Sequence, residues 1–132
     1  MTAKEYLSQY RWLNAKIDSE IEQARRMREL ATAISPSSGF GSPGDISDKV
    51  GKTVAKLVDA EEEINRDIER IVELKKDIEK VISKVNDETC RRLLILRYLD
   101  CKTFEKIAVE MHYSYRQICR LHGTALAKVK CH

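Results

Sequence analysis

Two stretches of this chain carry apolar residues at alternating four- and three-residue spacing, the first with no helix breaker before Pro36. The first runs through Tyr6, Tyr10, Leu13, Ile17, Ala24, Met27, Ala31 and Ile34. The second runs through Val50, Val54, Leu57, Ile64, Ile68, Ile71, Ile78, Ile82 and Val85. Such spacing lays a narrow apolar stripe along one side of an α-helix, and that stripe must be covered by another helix. Thr2 and Glu5 form a capping-box pattern, so the first helix is expected to start at Ala3. Glu20 interrupts the first stripe, with Ile21 beside it to cover the seam, and Glu61 and Lys75 interrupt the second. On the remaining faces opposite charges stand three or four apart, as in Glu62 with Arg66 and Lys75 with Glu79, which reads as a solvated surface and not as a site.

Between the stretches, Ser35 to Asp45 holds both prolines and three of the five glycines, so residues 35–46 are expected to form a flexible loop, with the second helix resuming at about Ser47. The same segment spells Gly39-x-Gly41-x-x-Gly44, but no strand precedes it to make a dinucleotide turn. Two long helices joined this way bury their stripes most simply by folding back as an antiparallel, coiled-coil-like hairpin over 1–85. Met27 would then lie near Leu57 and Tyr6 near Ile78. One seam leaves the flanking Trp12, Val58 and Val72 partly uncovered, so a homodimer through the hairpin is expected. Trp12 and Tyr10 are candidates for that second contact, the alternative being that they thicken the seam within one chain.

Composition narrows the class. Of 132 residues, 34% are charged and only 6% aromatic, and the alternation of a half-buried strand is absent, so the expectation is an all-α fold. No window approaches the ~18 apolar residues of a membrane span, and the opening residues lack a secretory pattern. Together with four cysteines taken as reduced thiols, this reads as a cytoplasmic protein with no membrane partner. The charge is uneven. Residues 1–85 carry fifteen basic and sixteen acidic side chains, whereas 86–132 carry nine and five, and after Glu110 there is no acid at all. A basic end on a neutral body points to a polyanionic partner, nucleic acid above all.

The basic part has its own pattern. Asn86-Asp87-Glu88 offers an N-cap for a helix that buries Leu93, Leu94, Leu96 and Leu99, ending at Asp100-Cys101-Lys102. Thr103 caps a short helix, Phe104 to Met111, and after a turn at His112-Tyr113 a second capping box, Ser114 to Gln117, opens a helix with Ile118, Leu121, Ala125, Leu126 and Val129 inward. A short helix, a tight turn and a capped second helix make a helix-turn-helix, so 86–132 is expected to be a small DNA-binding domain.

The run Leu94-Ile-Leu-Arg97-Tyr98-Leu-Asp-Cys-Lys-Thr103-Phe-Glu-Lys-Ile107-Ala108, with Ser114, Ile118, Leu121 and Ala125-Leu126, resembles the promoter-recognition region of bacterial sigma factors. The whole chain, with its Tyr113-Ser-Tyr-Arg-Gln-Ile-Cys-Arg-Leu-His122-Gly run, further resembles short sigma-like regulators encoded by phages and prophages of Gram-positive bacteria. The resemblance implies that the last helix enters the DNA major groove, with Tyr115, Arg116, Gln117, Cys119 and Arg120 as readout candidates. Arg116 or Arg120 can fork onto guanine, Gln117 can pair with adenine, and Tyr115 can pack on a thymine methyl or reach a phosphate. Gln117 is also wanted by its cap. Lys102, Thr103, Lys106 and Lys128 are backbone-phosphate candidates. Arg97 and Tyr98 match a sigma motif of structural role. Sigma factors commonly carry a basic residue where this chain has Cys119, and often where it has Tyr115, which leaves the recognised sequence unassigned.

Other chemistry is weakly represented. Cys119-x-x-His122 places two potential ligands on one helical face, but Cys90 and Cys101 are not spaced as the second pair of a zinc site, so neither metal nor cofactor is expected. No catalytic constellation stands out, and the chain reads as a non-enzyme. Two functions remain: a transcription regulator that binds DNA and contacts RNA polymerase, or a helical adaptor, for instance in phage packaging, whose helix-turn-helix touches protein.

Overall fold

The computed structural model describes residues 1–33 and 43–130. The chain is all-α, and its helices are α1 (Ala3–Ala33), α2 (Pro43–Ser83), α3 (Glu88–Leu94), α4 (Phe104–Met111) and α5 (Tyr115–Lys128), with a π-helical turn, Ile95–Leu99, continuing α3. The opening cap forms as its sequence requires: the Glu5 amide donates to Thr2 Oγ1 at 3.1 Å and the Thr2 amide to Glu5 Oε2 at 3.2 Å. α2 starts at Pro43, so residues 43–46, expected as loop, are helical. A proline in the first turn forfeits no hydrogen bond and has its φ already set for a helix, so here it opens the element instead of preventing it. The rest of the expected loop, with Gly39 and Gly41, lies outside the described residues.

The chain packs as two compact units, Ala15–Arg70 and Met1–Asn14 with Ile71–His132. This groups residues differently from a chain-order division at residue 85.

Within Ala15–Arg70, α1 and α2 run antiparallel, as the pairing of Lys16 with Asp67 and Arg28 with Glu61 requires. Ile17, Ala24 and Ile64 are buried between them. The seam departs from the expected one at three residues. Ile21, Val54 and Ile68 are 49%, 44% and 41% exposed, while Asp67 is 1% exposed. On α2, Leu57, Ala60, Ile64 and Asp67 are covered at three-four spacing, with Glu61 and Glu63 partly covered beside them. The expected Leu57 and Ile64 are covered, and the seam takes Ala60 and Asp67 where the expected stripe ran one residue later, through Glu61 and Ile68.

In the other unit, Leu7, Ile78 and Ile82 from the long helices and Val85 from the link after α2 share one core with Cys90, Leu94, Tyr98 and Ala125. Tyr6, Tyr10 and Leu74 pack against it, so Tyr10 thickens this core, whereas Trp12 is 60% exposed. Leu7 was not expected inside, because the heptad places its neighbour Tyr6 on the seam. A second cluster, Leu93, Leu96, Ile107, Ala108, Met111 and Ile118, joins α3, the π turn, α4 and α5. Each such aliphatic side chain contributes roughly 1.5–3 kcal/mol on full burial, and these clusters hold α5 in place.

Candidate nucleic-acid interface

The helices that carry the candidate residues are positioned by local caps. The Cys90 amide donates to Asp87 Oδ1 at 3.1 Å, which starts α3 and holds the Asp87 carboxyl below its ordinary value. At the end of the π turn the Asp100 amide donates to the Ile95 carbonyl at 2.9 Å, an i to i+5 bond, and Cys101 takes the left-handed conformation at φ 56°. Arg97 donates to the Lys102 carbonyl at 3.0 Å and lies 4.3 Å above the Phe104 ring centre. Tyr98 points inward, where its hydroxyl meets His122 Nε2 at 2.6 Å, and the Phe104 edge meets the same imidazole at 4.9 Å between ring centres. Burial, with the charges of Arg97 and Lys4 adding to it, pushes His122 down to about 4, so the ring is neutral at pH 7.

Thr103 caps α4 by accepting from the Lys106 amide at 3.3 Å, and His112, at φ 60°, closes it in the left-handed conformation. The Tyr113 amide then reaches back to the Ala108 carbonyl at 3.0 Å. Ser114 opens α5 with a full capping box: its hydroxyl accepts from the Gln117 amide at 3.1 Å, and Gln117 Oε1 accepts from the Ser114 amide at 2.8 Å. α5 buries Ile118 and Ala125 and half-buries Leu121 and His122, which turns Tyr115, Arg116, Gln117, Cys119 and Arg120 to the outside. These five residues thus share the exposed side of the first half of one helix.

Their availability differs. Arg116 and Arg120 have no ion pair among the described residues, and no acid follows Glu110 in the chain. Gln117 has its oxygen engaged by the cap, which leaves the amide NH2 outward. The Cys119 side chain one turn on, and then the charge of Glu105, raise the Tyr115 phenol above its ordinary value. Lys106 is exposed at the start of α4. The Thr103 hydroxyl is taken by its cap, Lys102 is paired with Glu110, and Lys128 stands 3.7 Å from Asp87. His122 turns to Tyr98 while Cys119 is exposed, so the Cys119-x-x-His122 spacing does not present two ligands to one point.

Two residues were not singled out from the sequence. Tyr113 and Thr124 join Gln117, Arg120 and Leu121 around a shallow groove of about 300 Å³ beside α5. Tyr113 stands in a turn, where periodicity carries no signal, and it is placed by the left-handed His112 before it.

A family profile described as "Protein of unknown function (DUF1492)" matches residues 42–130. No curated protein and no solved structure matches the chain. No helix among the described residues is long and apolar enough to cross a membrane.

Proposed function

The chain belongs to the DUF1492 family, and from its C-terminal helices we propose that it is a sequence-specific DNA-binding transcription regulator of sigma-like type, acting on phage or prophage genes. The observation that carries this reading is the exposed side of α5, where Arg116 and Arg120 stand free of acidic partners among the described residues, one turn apart on a capped helix. A protein surface ordinarily intersperses both signs, and two unpaired forks at the start of a helix suit guanine edges in a major groove. Tyr115 and the outward NH2 of Gln117 add an apolar contact and a donor. RNA polymerase is the second partner this reading implies.

The bound pairs refine the phosphate candidates. Lys106 is the free lysine of α4, while Lys102 and Lys128 each give up an acidic partner to reach a phosphate, so they contribute less than an unpaired lysine would. An adaptor role is favoured by one observation, the exposed Ile21, Val54, Val58 and Ile68 of the Ala15–Arg70 unit, which are suited to a helical partner.

Genome-wide footprinting of the tagged protein, repeated with the Arg116→Ala/Arg120→Ala variant, separates the two. Discrete protected sites that vanish in the double variant are the expected result. Sites unaffected by it would remove Arg116 and Arg120 from the DNA contact, and no sites at all, with a protein partner recovered through the exposed apolar residues, would overturn the DNA reading in favour of the adaptor.

A further inference from the structure

The Ala15–Arg70 unit carries a buried acid, Asp67, on α2 and a largely covered one, Glu20, on α1. In α1 the covered positions Ile17, Glu20, Ala24 and Met27 keep the three-four spacing, and in α2 so do Ile64 and Asp67. Glu20 and Asp67 therefore occupy seam positions on facing helices. Asp67 is 1% exposed and the Glu20 side chain 17%. Carboxylate oxygens of Glu20, Glu63 and Asp67 lie within 4.8 Å of one another.

The charges around them are not shared evenly. From α1, Lys16 Nζ is 3.0 Å from Asp67 Oδ2, 3.5 Å from Glu63 and 3.8 Å from Glu20. From α2, Arg70 Nη1 is 3.4 Å from Asp67 Oδ1, and Arg66 is 2.7 Å from Glu63. Asp67 thus has two cations and Glu63 has Arg66, whereas Glu20 has only the distant side of Lys16. Glu20 Oε1 is buried without a hydrogen-bond partner, the one such side-chain atom among the described residues. A buried, unbonded carboxylate oxygen is far more costly than the carbonyl oxygen of a neutral acid. Lys16 already stands where a bound cation would sit, so the vacancy in this cluster is for a proton.

We propose that Glu20 and Asp67 hold one proton between them across the seam, Glu20 as the neutral acid donating to the Asp67 carboxylate, and that losing it loosens the Ala15–Arg70 hairpin. The directions of titration agree. Burial, and then the hydrogen bond to Asp67, push the Glu20 carboxyl up, while bonds to Glu20 and Lys16 hold Asp67 down. A raised acid stabilises the folded unit fully below its unfolded value, and that contribution is lost as pH rises through the folded value. Asp67 acts oppositely, its contribution being lost as pH falls. The unit is then firmest between the two titrations and relaxes on the alkaline side. A polar pair at one seam level also fixes the register of α1 on α2, because sliding by a heptad would set each acid against an aliphatic neighbour.

The test uses the full chain. Carboxyl-carbon NMR follows Glu20 and Asp67 from acid to pH 9, and amide exchange across Ala15–Arg70 is compared between wild type and Glu20→Gln. Glu20 should titrate above an ordinary glutamate. The ratio of wild-type to variant exchange should grow with pH, about tenfold for each unit by which Glu20 is raised. Glu20 titrating at or below its ordinary value, or a ratio that does not change with pH, overturns the proposal. So does magnesium raising the melting temperature of wild type but not of Glu20→Gln, which would make the occupant a cation. If the variant fails to fold, the wild-type titration decides alone.

Discussion

At the residue scale, the arginines of α5 and the imidazole behind them make separable claims. Arg120→Ala removes a fork that touches nothing in the core, so helicity by circular dichroism should be unchanged while specific DNA binding weakens by about 1–3 kcal/mol. Unchanged binding in a gel shift would remove Arg120 from the readout set. His122 is tested by acid. Its folded value of about 4 lies below the ordinary 6.5, so the unfolded chain takes up the proton first. Its contribution to stability is present above about pH 6.5 and is lost as pH falls toward 4. His122→Phe should flatten that part of the melting-temperature profile, and an unchanged slope would show that another group titrates there. The exposure of Arg116 and Arg120 was legible because it follows from the helical position of Ile118 and Ala125. The Tyr98 to His122 contact was not, since it spans 24 positions and both residue types are as common on surfaces.

At the scale of elements, caps carried most of the information. Thr2, Asp87, Thr103 and Ser114 each accept the amide bond that their sequence position implies, because a cap is a transaction among four neighbouring residues. Ser114→Ala should therefore lower stability by about 1 kcal/mol in urea unfolding and loosen the start of α5, where DNA is proposed to bind. No change would mean that Gln117 alone holds that turn. Elements set by long-range packing were less legible. The π turn has no spacing of its own, and on α2 Asp67 takes the seam position expected for Ile68 because it is buried by its partners and not by its own polarity. In the core, Ile78→Asp should cost several kcal/mol, since it leaves an unpaired charge among Leu7, Ile82 and Leu94, whereas Glu73→Ala on the exposed side should cost under ~1. Equal melting temperatures for the two variants would contradict the buried face.

At the scale of the whole molecule, the proposed regulator has a testable stoichiometry. If exposed residues such as Val58 pair two chains, DNA binding should require two half-sites about one helical turn, or a multiple of it, apart. Light scattering of a monomer at tens of micromolar, with footprints showing a single unpaired element, would exclude the dimer and leave a monomer acting on polymerase. The all-α class could be read from composition and spacing, but the grouping of residues 1–14 with 71–132 could not, because it depends on Leu7 entering a core built from residues far along the chain. That grouping bears on how the molecule is born. Leu7 leaves the ribosome long before Ile78, and Ala125 later still, so the unit bearing α5 has no complete core until Ala125 has emerged. A chain truncated after residue 85 should show a helical Ala15–Arg70 unit but a protease-sensitive Met1–Asn14, and extending it through α5 should protect that segment together with the gain of the proposed DNA binding.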